Sequence, residues 1–281
     1  MFLLPWLLTL AVFWIYPLIF SLVLSFSNYD VFHPELFSFV GFENYARLLK
    51  DAGFRQALFN TFIFVVGTTP VTTVMALVLA LMINSVRRGN QVFRSVFFLP
   101  SIVSIVVTAS IFKSFYSHVG MLNRIVEFFG LTGHGWLVEK GFAMPAIMMM
   151  NVWAYTGYYM VLYLAALTAV PKQLYEAAEV DGADEWQQFW YITLPQIRYM
   201  TIFVIVINTI RSWQVFPEVF TLTHGGPVGT TNTLVNHLYE TAFRYHDMGY
   251  ASAISFVLLG IIMVFAFAQM RILQGRKEAK K

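Results

Sequence analysis

The chain has 281 residues, of which 58% are hydrophobic and only 12% are charged. A soluble domain carries about 25% charged residues, so this chain lacks the polar groups to cover a globular surface and is expected to lie in a bilayer. It has no Cys, which excludes disulfides, thiolate metal sites and a Cys nucleophile. The net charge of +3 is small and not gathered into a basic patch, so we expect no nucleic-acid partner.

Six apolar segments are long enough to cross a bilayer, which takes about 20 residues. They are 3–26, 60–83, 96–114, 144–170, 197–216 and 251–270. The first is too long for a signal peptide and lacks a basic n-region. The sequence therefore predicts an all-α membrane protein with six transmembrane helices, in which 1–281 form a single transmembrane domain.

The loop between the first two spans is more than a plain linker. Its apolar residues recur at roughly helical spacing, with charges between them: Phe42, Tyr45, Leu48, Leu49, Phe54, Leu58 and Phe59. This pattern predicts an amphipathic interfacial helix that leads into the second span.

The distribution of Lys and Arg predicts the orientation. Six spans place both termini on one side, and the loops on that side hold more basic residues than the opposite loops. They include Arg87, Arg88, Arg94, Arg198, Arg276, Lys277, Lys280 and Lys281. Cytoplasmic loops carry such an excess, so both termini and the loop 171–195 are predicted to lie in the cytoplasm.

The loop 171–195 is acidic although apolar segments flank it. Its acids are Glu176, Glu179, Asp181, Asp184 and Glu185. Pro171 suits the first turn of a helix, and Gly182 can end that helix because glycine reaches positive φ without a Cβ clash. Asp184 and Gln187 then predict a capping box for a second helix. The loop is predicted to be a helix–glycine–helix elbow, and an ordinary helical hairpin remains the alternative from spacing alone.

Polar side chains inside apolar spans indicate a cavity or a partner, because they are costly in lipid. Asn151, Tyr155 and Tyr158 lie on one helical face at i, i+4 and i+7. Arg211 lies near the end of the fifth span and offers a planar fork suited to a carboxylate or phosphate. The alternatives are that these residues pack against a partner subunit, or that Arg211 pairs with an acid there or extends towards the interface. The spacing of the His residues predicts no metal site.

The amino-acid sequence of the acidic loop resembles that of the EAA loop of ABC importer permeases. The matching residues are Glu176-Ala177-Ala178, Asp181-Gly182-Ala183, Phe189, Ile192 and Leu194-Pro195. Further segments resemble the carbohydrate-uptake branch of that family, to which the maltose and glycerol-phosphate permeases belong: FENYARLLKDAGFRQALFNT, FFLPSIV, GMLNRIV and THGGP. THGGP is more typical of the first of the two permease subunits in such systems.

This resemblance implies the type I ABC importer permease fold and a set of partners. A second permease subunit would complete the pathway as a heterodimer, two ATPase subunits would bind the EAA loops, and a solute-binding protein would deliver the sugar from outside. The ATPase-coupling residues would be Glu176, Ala177, Ala178, Asp181, Gly182, Ala183, Leu194 and Pro195. The chain has no G-x-x-x-x-G-K-[ST] motif. We therefore expect no cofactor and no catalytic residue in this chain, with ATP and Mg²⁺ bound by the ATPase subunits.

The resemblance also implies a substrate pathway in the inner membrane of a bacterium or archaeon. The positions that match the sugar pocket of the maltose relative are Asn151, Tyr155, Tyr158, Arg211 and Ser212. That relative has an apolar aromatic residue at the position of Arg211, and this departure suggests an anionic substrate such as a uronate oligosaccharide.

Two other classes of protein are considered. A stand-alone secondary transporter usually shows internal repeats and buried acids for ion coupling, and neither is evident in the spans. A membrane-embedded enzyme would need a cluster of His, Asp or Glu at membrane depth, which the sequence does not indicate.

Overall fold

The computed structural model describes residues 3–33, 35, 37–86 and 88–274. Of the basic residues that predict the orientation, Arg87 and the tail residues Arg276, Lys277, Lys280 and Lys281 lie outside the described residues. The described part is predominantly helical, and its helices are numbered here in chain order.

The first helix, α1, spans Leu4–Ser25 and includes one π-helical stretch, Ala11–Ile15. Its residues are almost all exposed, and burial begins only at Leu24 and Ser25. Two short antiparallel strands follow, β1 (Ser27–Asn28) and β2 (Ser38–Phe39). They hold the chain at the end of α1, where Asn44 donates hydrogen bonds to the carbonyl oxygens of Ser25 and Ser27.

The amphipathic segment after the first span is divided between two helices. Glu43–Lys50 forms α2, and Ala52–Ser85 forms the 34-residue α3. The Asp51 side chain caps α3 by accepting a hydrogen bond from the Gly53 amide at 2.7 Å. The amphipathic stretch is helical as predicted, in α2 and in the first turns of α3, to which Phe54, Leu58 and Phe59 belong.

The third predicted span, 96–114, is not one straight helix. The structure has α4 (Asn90–Ile102) and α5 (Ile105–Phe115), which meet at an angle of 94°. Val103 and Ser104 have extended backbone angles and separate the two helices. The bent pair is compatible with one broken span or with a re-entrant loop, so the span 96–114 stays a prediction.

The remaining helices follow in order. They are α6 (Met121–Phe128), α7 (Lys140–Thr168), α8 (Lys172–Val180), α9 (Glu185–Gln196), α10 (Arg198–Trp213), α11 (Pro217–Leu222), α12 (Leu234–Tyr239) and α13 (Met248–Gln274). Between α9 and α10 the chain bends by 67°. A π-helical stretch, Glu240–Arg244, extends α12.

The core forms where α3, α7, α10 and α13 pack on one another. Tyr159, Tyr163 and Met160 of α7 are fully buried against small residues of α3 such as Ala76. Gly157 allows α4 to approach α7 closely, since a Cβ at this position would lie 1.9 Å from the Phe97 carbonyl oxygen. Such close contacts of small residues are typical of helices that pack within lipid.

Three of the described helices are long and apolar enough to cross a membrane on their own: Leu4–Ser25, Ala52–Ser85 and Met248–Leu273. The two bent pairs, α4 with α5 and α9 with α10, raise the number to five if each is one span. Helix α7 has 29 residues but does not meet the same standard. The predicted count of six spans is thus not confirmed.

Candidate functional site

A buried polar cluster joins α7 to α11. The Asn151 side-chain amide donates a hydrogen bond to Glu218 Oε1 at 2.8 Å, and the Tyr155 hydroxyl donates to the same oxygen at 3.4 Å. All three side chains are buried, and Glu218 is only 4% exposed. Asn151 and Tyr155 reach one acceptor because residues four apart lie on the same face of a helix.

Arg211, near the end of α10, joins this cluster through the ring of Tyr155. Its guanidinium carbon lies 3.3 Å above the centre of the Tyr155 ring, which is a cation–π contact. Arg211 itself is exposed. None of the ion pairs between described residues includes it. The guanidinium is thus held in place by a ring and still faces open space.

Glu218 is a buried acid, and the cluster partly stabilises its ionised form. Burial raises its pKa, because a carboxylate loses hydration there. The positive charge of Arg211 and the hydrogen bonds from Asn151 and Tyr155 act in the opposite direction and favour the ionised form. The cluster therefore holds an acid at the hydroxyl of Tyr155 and a base over its ring.

Two residues predicted for the same pathway lie apart from this cluster. Ser212 is buried against α3, where its hydroxyl lies 3.3 Å from the hydroxyl groups of Thr68 and Thr69. Tyr158 is 40% exposed, and its ring packs edge-on against Tyr159. The structure therefore brings Asn151, Tyr155 and Arg211 together, and it places Ser212 at a helix contact and Tyr158 at the surface.

Sequence reasoning did not find Glu218. The residue lies just after the fifth predicted span, and acids were sought only in the middle of spans. Pro217 begins the short helix α11, which places Glu218 against α7. The available signal was a single acid between apolar residues in the segment VFPEVF.

The cluster gathers several types of hydrogen-bonding group. A carboxylate, an amide, a phenol and a guanidinium can all form hydrogen bonds with hydroxyl groups. No group of three His, Asp or Glu residues that could hold a metal ion occurs within the described ranges.

The acidic loop forms the elbow that its sequence predicts. Helix α8 ends at Val180, and Gly182 follows with a left-handed φ of +79°, while the Ala183 amide donates to the Ala178 carbonyl at 2.8 Å. Asp184 and Gln187 then form the predicted capping box, with bonds of 2.7 Å and 2.9 Å between side chain and backbone. Both ends of the elbow are therefore fixed by local bonds.

The two arms of the elbow are also tied together, and most of its surface is open. The hydroxyl groups of Tyr175 in α8 and Thr193 in α9 lie 2.9 Å apart. No residue of α8 is buried, and Val180 is 88% exposed. The predicted coupling residues Glu176, Ala177, Asp181, Gly182 and Pro195 are exposed, and Ala178, Ala183 and Leu194 are half-buried. The elbow is thus an ordered element, and apolar side chains such as Val180 are not covered by other residues of the described chain.

The family can be identified by comparison with known proteins. The model of the family described as "Binding-protein-dependent transport system inner membrane component" matches residues 54–278. The chain belongs to this family. It is accordingly a permease subunit of an ABC importer, which is a transport subunit of the inner membrane and not an enzyme.

The permease has relatives over nearly its whole length. It is 36% identical to the lactose transport system permease protein LacF of Rhizobium radiobacter, covering 99% of this chain and 94% of that protein. It is 33% identical to the arabinooligosaccharides transport system permease protein AraP of Halalkalibacterium halodurans, covering 95% of this chain and 84% of that protein.

The fold of the permease also matches a solved structure. A chain from a bacterial ABC transporter involved in the import of the acidic polysaccharide alginate superposes with a TM-score of 0.87. The alignment covers 98% of this chain and 94% of that chain at 24% identity. At this identity the match shows the fold, and it confirms the type I importer architecture that the EAA resemblance implies.

Proposed function

We propose that this permease moves an oligosaccharide or a sugar derivative into the cytoplasm by ATP-driven alternating access. The names of its relatives, which refer to lactose and to arabinooligosaccharides, support a sugar as the cargo. The observation that carries the proposal is the convergence of Asn151, Tyr155 and Arg211 at one buried polar cluster.

The cluster suits a sugar because it combines fixed hydrogen-bonding groups with aromatic surface. Asn151 offers an amide that can bind hydroxyl groups, and Tyr158, which lies apart from the cluster on the same helix, presents an exposed ring that can stack on a pyranose. Sugar sites are expected to use such a mixture of a few polar groups on a largely apolar wall.

A carboxylate-bearing sugar is the finer proposal. Arg211 is exposed beside the cluster, and a guanidinium binds a carboxylate with two parallel hydrogen bonds. The likeness in fold to a permease from an alginate importer agrees with this idea without deciding it. Transport by Arg211→Ala separates the cases, because equal loss for acidic and neutral sugars would contradict recognition of charge.

The elbow is proposed to receive force from an ATPase subunit. Val180 and Trp186 are exposed apolar side chains, and the acids Glu176, Glu179 and Asp181 surround them with negative charge. A groove with an apolar floor and a basic edge would be complementary to this surface. In this arrangement ATP and Mg²⁺ are bound by two ATPase subunits, and the permease pairs with a second permease subunit.

The proposed orientation places both termini and the elbow in the cytoplasm. The opposite face would then receive a solute-binding protein that delivers the sugar, as the name of the family implies. Closure of the ATPase dimer would move the elbows together, and the helices would turn the site towards the outside.

The test is reconstitution of uptake from defined parts. The permease is co-expressed with candidate ATPase and second permease subunits, and sugar uptake is measured with either ATP or a proton gradient as the energy source. We expect uptake to require both ATP and the ATPase subunit. Uptake driven by the gradient alone would instead support the alternative, a stand-alone secondary transporter.

A further inference from the structure

The polar cluster contains an acid, Glu218, whose ionised form opposes the binding of an anion. Glu218 lies behind Tyr155 and Asn151, and its carboxyl oxygen accepts hydrogen bonds from both. The Arg211 guanidinium lies over the ring of the same tyrosine. The two charged groups interact electrostatically without forming a direct ion pair.

The two groups differ in their access to a substrate. Glu218 is 4% exposed, so a sugar cannot displace it easily from its partners. Arg211 is exposed and can rearrange around a ligand. A fixed buried charge acts on a substrate through space, and such an interaction is strong where water is scarce.

We propose that Glu218 determines the charge preference of the substrate site, by offsetting the attraction of Arg211 for an anionic sugar. The inference rests on the proposed function, because it assumes that the sugar binds beside Tyr155 and Arg211. It adds a specificity-determining residue outside the set that the EAA-family resemblance assigns to the pathway.

The offset has a use in transport. A site must bind its cargo well enough to accept it and weakly enough to release it on the other side. Without an opposing charge nearby, Arg211 would hold a uronate more tightly. Glu218 lowers this affinity while its hydrogen bonds keep Asn151 and Tyr155 in position for neutral hydroxyl groups.

The experiment measures direct binding to the assembled permease–ATPase complex in detergent, without the solute-binding protein, which would impose its own selectivity. The probes are a disaccharide of two uronate units and a neutral disaccharide with the same linkage. In Glu218→Gln the amide oxygen can still accept both hydrogen bonds, and only the charge is lost. We expect the ratio of acidic to neutral affinity to rise by roughly tenfold.

Two further variants test the mechanism. Arg211→Gln should lower the same ratio by roughly tenfold, and the double variant should return close to the wild-type ratio if both charges act on the sugar. A double variant that behaves like Arg211→Gln alone would overturn the proposal, because Glu218 would then act only by positioning Arg211.

Controls separate the failure of this proposal from the failure of the proposed function. Glu127→Gln removes an exposed acid of α6 and should leave the ratio unchanged. A ratio that is also unchanged in Glu218→Gln, in a complex that assembles and binds both sugars, overturns only the role of Glu218. If the wild-type complex binds neither sugar, the substrate site itself is refuted, and the inference is refuted with it.

Discussion

The polar cluster and the elbow differ in which side chains they bury and which they expose. The cluster around Glu218 buries polar groups and satisfies them internally, whereas the elbow around Gly182 leaves apolar side chains such as Val180 in the open. Buried polar groups are stable only when partnered, and exposed apolar patches mark surfaces where another protein binds. The buried polar groups of one region are therefore partnered within the chain, whereas the exposed apolar side chains of the other suit a partner.

This contrast also divides the expected effects of substitutions. A substitution in the cluster should alter the affinity or selectivity for sugars, whereas a substitution in the elbow should alter the coupling of ATP hydrolysis to transport. The two regions are joined by α7, which carries Asn151 and Tyr155 and ends just before α8. The expected effects decrease from a substitution that disrupts helix packing to one that weakens a single helix cap.

The largest effect is expected at Gly157. A side chain there would collide with the Phe97 carbonyl oxygen, which is backbone and cannot turn aside. Gly157→Val should force α4 away from α7 and lower the yield of assembled complex at least tenfold, since overpacking of this kind costs about 1–3 kcal/mol or more. Size-exclusion chromatography in detergent measures the yield.

Gly141→Ala is the matched control for Gly157. It lies in the same helix, and a Cβ there would meet no other atom within 4 Å. Normal yield is expected, and a loss as great as that of Gly157→Val would mean that α7 tolerates no added side chain anywhere.

The second effect should separate coupling from binding. Gly182→Val places a β-branched residue at a φ of +79°, which costs about 1–2 kcal/mol and bends the elbow out of shape. ATP-driven uptake should fall about tenfold while direct sugar binding to the complex persists. Gly182→Asn should retain most uptake, because Asn tolerates this conformation. Equal uptake by all three proteins would show that the elbow's shape does not matter.

The third effect lies in the cluster. Tyr155→Leu removes the ring beneath Arg211 and the hydroxyl that reaches Glu218, so sugar affinity should fall about tenfold, given contacts of about 0.5–2 kcal/mol each. Tyr155→Phe keeps the ring and should lose only a few-fold. Binding is measured by titration of the complex. A variant that binds normally but fails to couple ATP hydrolysis to uptake would contradict the division between the two regions.

The smallest effect is expected at the cap of α9. Asp184→Ala removes the acceptor for the Gln187 amide and should cost about 1 kcal/mol of local helix stability. Uptake should fall two- to threefold, and Asp184→Asn should recover it because Asn also caps helices well. An Asn variant as impaired as the Ala variant would point to the charge of Asp184, and not to its cap.

The elbow could be predicted from the sequence in detail, because its signals are local. Gly182, the Asp184–Gln187 box and the start of α8 each depend on residues within one or two turns. The face shared by Asn151 and Tyr155 follows from helical periodicity alone. These features needed no knowledge of how distant parts of the chain meet.

The rest depends on contacts across the fold. Glu218 is 67 residues from Asn151 in sequence, and only the turn at Pro217 brings it to α7. The 94° bend between α4 and α5 lies in a largely apolar segment, in which Pro100, Ser101 and Ser104 do not by themselves predict the angle. Ser212 shares its predicted role with Arg211 but points to α3, because neighbouring residues on a helix face different directions.

Helix α1 has a consequence for the way this permease changes over evolutionary time. Its first twenty residues touch little of their own chain, so few of them are constrained by a packing partner within it. A helix that faces lipid needs a long enough run of apolar residues, and it does not need a particular apolar side chain at each position. We therefore expect α1 to accumulate apolar replacements faster than α7, where Gly157 and Asn151 each contact a particular neighbour. Any stretch of α1 that resists such drift would mark where another subunit lies against it.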